Sequence, residues 1–197
     1  MAHIAILGLG NWGTAVARMW LLEGHKVKGW TIEQDVYESV VMEGVNKKYL
    51  PGHSVEGLEA TMRLDEALDG VEIVVLAIPS SVILDVVDEV IPHLRPGHVL
   101  IDLAKGLAPG KRLISQAIHE KLDAAQMTNP LAVVTGPTIA PEAAGGVITT
   151  ALVASEDESV AKRLAETLTT QTFILHAASD PVLSLIHISE PTRRWSI

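Results

Sequence analysis

The sequence predicts an α/β fold: a doubly wound, mostly parallel sheet with helices packed on its faces. Three observations predict it. Short apolar runs alternate with stretches of helical period along most of the chain. Several of those runs, Val71-Glu72-Ile73-Val74-Val75-Leu76-Ala77 above all, are apolar on both faces, as a parallel strand covered by helices must be. A glycine-rich turn joins the first run to the first helical stretch, so the alternation begins as strand, turn, helix.

Taken in order, strands are expected over 3–7, 26–30, 72–77, 99–103, 131–134, 148–154 and 173–176. Helices are expected over 12–23, 35–43, 80–93, 111–122 and 156–168. The 80–93 stretch has the clearest one-sided period: Val82, Ile83, Val86, Val87, Val90 and Ile91 recur at three- and four-residue spacings. Ser80 or Ser81 can cap its start, and Pro92 falls near its end. Residues 1–182 read as one domain. The segment 183–197, with two adjacent arginines and a mid-run proline, continues no pattern of that fold.

Composition bounds the function. A chain of 197 residues can bury one sizeable core, or one domain and the start of another. Acidic residues outnumber basic ones, 24 to 15, for a formal net charge of −9. That balance argues against non-specific binding to nucleic acid or anionic membranes, while leaving room for a local basic pocket that takes a phosphorylated small molecule. A hydrophobic content of 48% excludes a disordered chain, and the lack of cysteine excludes disulfides, cysteine-bound zinc and thiol catalysis. The eight histidines show no metal-ligand spacing, so no metal is expected. No apolar run approaches the roughly 20 residues that a helix needs to span a bilayer, and no leader precedes the first strand. The expectation is a soluble, cytoplasmic protein without membrane insertion.

Gly8-Leu9-Gly10-Asn11-Trp12-Gly13 fits G-x-G-x-x-G between the first strand and first helix, the setting that motif requires. Gly8 allows the tight turn, Gly10 lets a pyrophosphate approach the backbone, and Gly13 lets helix and strand pack closely. Free N–H groups at the helix start then hold the phosphates. The motif makes the expected sheet Rossmann-type and its ligand a dinucleotide. The second strand should end at the adenosine ribose, which places Ile32 and Glu33 there. An acid hydrogen-bonds the 2′-hydroxyl, whereas a cation accepts a 2′-phosphate. Residues 30–35 hold no Arg or Lys, which favours NAD and leaves NADP possible. Glu33 can equally start the next helix, where the dipole favours an acid.

Ligands of such sheets bind beyond the carboxyl ends of the strands. Pro79 stops the third of the expected strands and joins the cofactor candidates. Lys105, beside Gly106 at the next exit, brings a cation to an acidic protein and stands level between a substrate contact and a solvated surface lysine. After the 131–134 run, Gly136 and Pro137 set a tight turn, and Thr138 can either cap the following short helix or offer its hydroxyl to a ligand.

Several co-ordered motifs resemble those of NAD(P)-dependent glycerol-3-phosphate dehydrogenases. They are Gly8-Leu9-Gly10-Asn11-Trp12-Gly13-Thr14-Ala15, Asn46-Lys47-Lys48-Tyr49-Leu50-Pro51-Gly52, Ala77-Ile78-Pro79-Ser80, Ala104-Lys105-Gly106-Leu107 and Gly136-Pro137-Thr138-Ile139-Ala140-Pro141-Glu142. The resemblance implies interconversion of sn-glycerol 3-phosphate and dihydroxyacetone phosphate, the glycerol-3-phosphate supply of phospholipid synthesis. It implies cofactor contacts from Asn11, Trp12 and Ala140, a catalytic Lys105 reaching cofactor and substrate, and substrate contacts from Gly136 and Thr138. Ile139, Pro141 and Ile148 depart from the usual residues of the substrate loop. Similar enzymes continue into a helical domain that carries a second lysine and the phosphate grip, and form homodimers. Nothing after Val182 resembles that domain, so the expectation is a nucleotide-binding domain without turnover, followed by a non-native tail. Two alternatives stay open: a module that holds NAD without chemistry, and a related β-hydroxyacid dehydrogenase.

Overall fold

The computed structural model describes residues 1–104, 107–108, 110 and 112–178. Lys105, Gly106, Lys111 and the expected tail at 183–197 lie outside the described residues. In chain order the elements are β1 (His3–Leu7), α1 (Asn11–Leu22), β2 (Lys26–Trp30), α2 (Gln34–Glu43), β3 (Glu59–Thr61), α3 (Leu64–Leu68), β4 (Ile73–Leu76) and α4 (Ile83–Val90). A 3₁₀ turn follows at Ile91–His93, then β5 (Val99–Asp102), β6 (Leu107–Ala108), β7 (Arg112–Leu113), α5 (Ile114–Ala124), β8 (Leu131–Thr135), α6 (Ala140–Ala144), β9 (Thr149–Ser155), α7 (Glu158–Leu168) and β10 (Phe173–Ala178).

Among the described residues eight strands form one sheet in the order β10-β9-β8-β5-β4-β1-β2-β3, and β6 pairs antiparallel with β7 separately. All neighbours in the large sheet are parallel except β8 and β9, which pair antiparallel. The chain starts in the middle: β1 pairs with β2 on one side and β4 on the other. Strand order therefore reverses at β1, and a crevice opens beyond the carboxyl ends of β1 and β4. All four residues of β4 and of β5 are buried, in keeping with strands covered on both faces.

Two apolar layers flank the sheet. Val16, Ala17 and Trp20 of α1 share one with Val160, Leu164 and Leu168 of α7 and with Phe173. Trp20 also donates its indole N–H to the Leu168 carbonyl at 3.1 Å, which satisfies the one polar atom that side chain buries. Ile83, Val87 and Val90 of α4 pack on Leu76 and Leu100 in the other layer, with Ile118 and Leu122 of α5.

The structure corrects several local expectations. Helix α4 begins at Ile83 with Val82 as N-cap and no side-chain cap bond, so Ser80 and Ser81 do not cap it. The Pro79 carbonyl instead accepts from the N–H groups of Val82 and Ile83, and Pro92 sits in the 3₁₀ turn rather than in α4. Ile139, not Thr138, is the N-cap of α6, again without a side-chain bond. Strand β3 and helix α3 were not expected; at three and five residues they are too short to show a period.

Candidate functional site

The glycine-rich turn follows from contacts a side chain would break. Gly8 has φ +103°, and a Cβ there would lie 2.5 Å from the Ala77 carbonyl oxygen. A Cβ on Gly13 would lie 1.9 Å from the Gly8 carbonyl oxygen. These two glycines let β1, β4 and α1 meet at backbone distance. Gly10 differs: no atom lies within 4 Å of where its Cβ would be. Among the described residues, leaving aside its chain neighbours, its missing side chain thus leaves open space at the start of α1, where Gly10 is the N-cap and no side chain caps the helix.

That space belongs to a cavity of about 670 Å³ over the crevice at β1. Gly8, Gly10, Asn11 and Trp12 line it from the first turn, and Ile32 and Glu33 from the turn between β2 and α2, where Glu33 is the N-cap of α2. Pro79 lines it after β4, and Thr138 and Ala140 after β8. Gly13 lies behind the cavity, packed on Gly8 and Ala77. Gly136 also stands outside the lining; its Cβ position is 2.8 Å from the Thr150 carbonyl oxygen of β9. Lys105 lies outside the described residues. Trp30, Tyr49, Val82, Val86 and Leu103 also face the cavity; none is a site candidate by sequence, where Val82 and Val86 belong to the apolar period of a helix. Tyr49 stood in a quoted motif, which was the available signal.

The loop after α2 reaches the site because Asn46 is pinned beneath it. The fully buried Asn46 donates its amide to the Leu9 carbonyl and to the Thr14 hydroxyl, both at 2.8 Å. Its Oδ1 accepts from the Tyr49 N–H at 3.1 Å. Leu50 is buried against Ala15, Ala140 and Ala144, with Trp12 packed on the same cluster. The loop therefore delivers Lys48 and Tyr49 to Glu33. Lys48 Nζ pairs with Glu33 Oε2, and the Tyr49 hydroxyl donates to Glu33 Oε1 at 2.8 Å. Lys48 Nζ also lies 3.1 Å from Asp35 Oδ2. These bonds hold the Lys48 ammonium well above its ordinary range, through Glu33 first and Asp35 second, and the Glu33 carboxylate raises the Tyr49 phenol. At the end of β5, next in sequence to the lining residue Leu103, burial pushes the Asp102 carboxyl up to about 7, against a smaller lowering by the Ala104 N–H.

A second cavity, about 730 Å³, lies beside α5 and the residues that lead into β8. Glu120, Asp123, Glu156 and Asp157 line it, with no Arg or Lys among the described lining residues and Arg112 paired to Glu120 from outside the lining, so acidic groups predominate there. Among the described residues no cluster of His, Cys, Asp and Glu is placed to hold a metal, and no helix is long and apolar enough to cross a membrane.

Strand order reversing at β1, with a bare helix start over the reversal, defines the class: a doubly wound nucleotide-binding domain of the Rossmann type. Residues 3–161 match the sequence profile of the NAD-dependent glycerol-3-phosphate dehydrogenase N-terminus. The chain belongs to that family. It is 34% identical over 180 residues to glycerol-3-phosphate dehydrogenase [NAD(P)+] of Coxiella burnetii, covering 91% of this chain and 53% of that protein. With the enzyme of the same name from Anaeromyxobacter dehalogenans it shares 33% identity over 178 residues, 90% of this chain and 54% of the relative. A crystal structure of the Coxiella burnetii glycerol-3-phosphate dehydrogenase superposes with a TM-score of 0.83 at 34% identity, covering 91% of this chain and 54% of that one. A UDP-D-ManNAc dehydrogenase from Pyrococcus horikoshii shares the fold alone, with a TM-score of 0.76 at 16% identity, over 94% of this chain and 48% of that one. The chain spans about half the length of the curated relatives it matches.

Proposed function

We propose that this chain is the NAD(P)-binding part of an oxidoreductase that interconverts sn-glycerol 3-phosphate and dihydroxyacetone phosphate. The observation that carries the reading is the open space over Gly10 at the uncapped start of α1. It is the one glycine of the motif whose missing side chain serves no packing purpose, and it lies where a pyrophosphate meets helix N–H groups and the positive end of the dipole. The residues present therefore fit a dinucleotide.

In this reading Gly8, Gly10, Asn11 and Trp12 hold the diphosphate. Glu33 and the exposed Ile32 face the adenosine, with Pro79 on the opposite wall. Ala140 closes the cavity from the β8 side. A bound nicotinamide dinucleotide would supply the hydride chemistry at the substrate carbon. Lys105, which follows β5 in sequence, would supply a positive charge for the oxygen that gains negative charge, and Gly136 and Thr138 would contact the substrate. The family membership and the acid in the turn after β2 support this assignment. A small phosphorylated substrate, a cytoplasmic location and a homodimer of the longer protein belong to the same proposal.

Gly10→Val tests it. The substitution fills the open space at little expected cost to the fold, because among the described residues no atom beyond the chain neighbours lies within 4 Å of the new Cβ. NADH titration followed by nucleotide fluorescence should show saturable binding to the unsubstituted chain and at least about tenfold weaker binding to the variant at unchanged melting temperature. Equal binding by both would refute the placement.

A further inference from the structure

We propose that Lys48 is the residue that decides between NAD and NADP: it is a 2′-phosphate partner held in check by Glu33. The proposal rests on the dinucleotide reading above and adds the determinant of its specificity. Sequence spacing searched for a cation only in residues 30–35. The structure brings one from 15 positions further along, on the loop pinned by Asn46 and Leu50.

The chemistry of the cluster sets the choice. Glu33 is at the cavity wall, with Lys48 on one carboxylate oxygen and the Tyr49 hydroxyl on the other. An ionised carboxylate offers about four acceptor sites, so two partners leave room for a ribose 2′-hydroxyl to donate as well. Lys48 is shared between Glu33 and Asp35, and its Nζ lies 5.5 Å from the centre of the Tyr49 ring. Two carboxylates against one ammonium give the cluster a net charge of −1. It accepts a hydroxyl and repels a phosphate that carries nearly two negative charges. Neutralising Glu33 reverses this. Lys48 then keeps only Asp35 of its two carboxylate partners, stays anchored by the same loop, and has donors free for a phosphate at the place Glu33 guarded.

The experiment measures dissociation constants for NADH and NADPH with the full chain, for the unsubstituted protein, Glu33→Gln, Lys48→Gln and the double variant. The readout is the NADPH-to-NADH affinity ratio, which a general loss of folded protein does not move. The ratio should favour NADH in the unsubstituted chain. It should rise at least tenfold toward NADPH in Glu33→Gln and lose that gain in Glu33→Gln/Lys48→Gln. Lys48→Gln alone should lower the ratio further, because two carboxylates then face the phosphate without a cation. A gain that survives in the double variant, or no gain in Glu33→Gln, overturns the proposal while leaving dinucleotide binding intact. Absence of binding of either nucleotide to the unsubstituted chain instead overturns the dinucleotide reading, and this proposal with it.

Discussion

Replacing Asp102 with Asn probes the cost of burying a carboxyl at the end of β5. Asp102 ends β5 and is 2% exposed. The Ala104 N–H donates to its Oδ1 at 2.8 Å, too little to offset the loss of water around a carboxylate. Burial moves the group from 3.8 to about 7. In the unfolded chain it ionises near 3.8, so between that value and 7 unfolding releases a proton and native stability falls as pH rises. Below the window the carboxyl is neutral in both states and the penalty vanishes; above it the penalty is complete. Accumulated from 3.8 to about 7, it reaches on the order of 4 kcal/mol. Asn has the same shape, never ionises, and keeps an oxygen for the Ala104 N–H. Urea denaturation followed by circular dichroism should find the two proteins about equally stable near pH 4 and Asp102→Asn more stable by roughly 3–4 kcal/mol near pH 8. A difference that stays constant across that range, or a variant weaker at pH 8, would refute the reasoning.

Gly13→Ala should lower stability by about 3 kcal/mol or more, read as a fall in melting temperature, because its Cβ meets the Gly8 backbone oxygen at 1.9 Å and neither backbone can yield. Its contrast with Gly10→Val, which should leave melting unchanged, separates the packing glycine from the binding one. Asn46→Ala strips hydrogen bonds from the Leu9 carbonyl, the Thr14 hydroxyl and the Tyr49 N–H at a fully buried position. A loss of about 2–3 kcal/mol in urea unfolding is expected, and a loss under about 0.5 kcal/mol would contradict the pinned-loop account.

The central part of this fold is legible in the sequence because local rules and tertiary need agree there. His3–Leu7 and Lys26–Trp30 are strands with the bounds their apolar runs give, and the glycine turn between β1 and α1 carries its own reason at Gly8 and Gly13. Helix starts were less legible. Ser80, Ser81 and Thr138 are good capping residues by type, but the turn after Pro79 and the position of Ile139 place the caps elsewhere. Strand β3 pairs with β2 over only three residues and has no pattern of its own. At the site, spacing from the glycine motif located Ile32 and Glu33 at the cavity. It had no means of finding Lys48, whose approach to Glu33 depends on Asn46 being buried under a different loop. Asp102 falls near the end of an expected strand run like any other residue; its weakened acidity comes from burial, which no neighbouring residue type announces.

The most direct test of the central claim follows backbone amide shifts by ¹⁵N–¹H NMR while NADH is added to the chain. The account predicts the largest changes at Gly10, Asn11 and Trp12, with a second group at Ile32, Glu33 and Tyr49. Changes confined to Ser115, His119, Asn129 and Glu156 around the acidic cavity, or no changes at all, would contradict it.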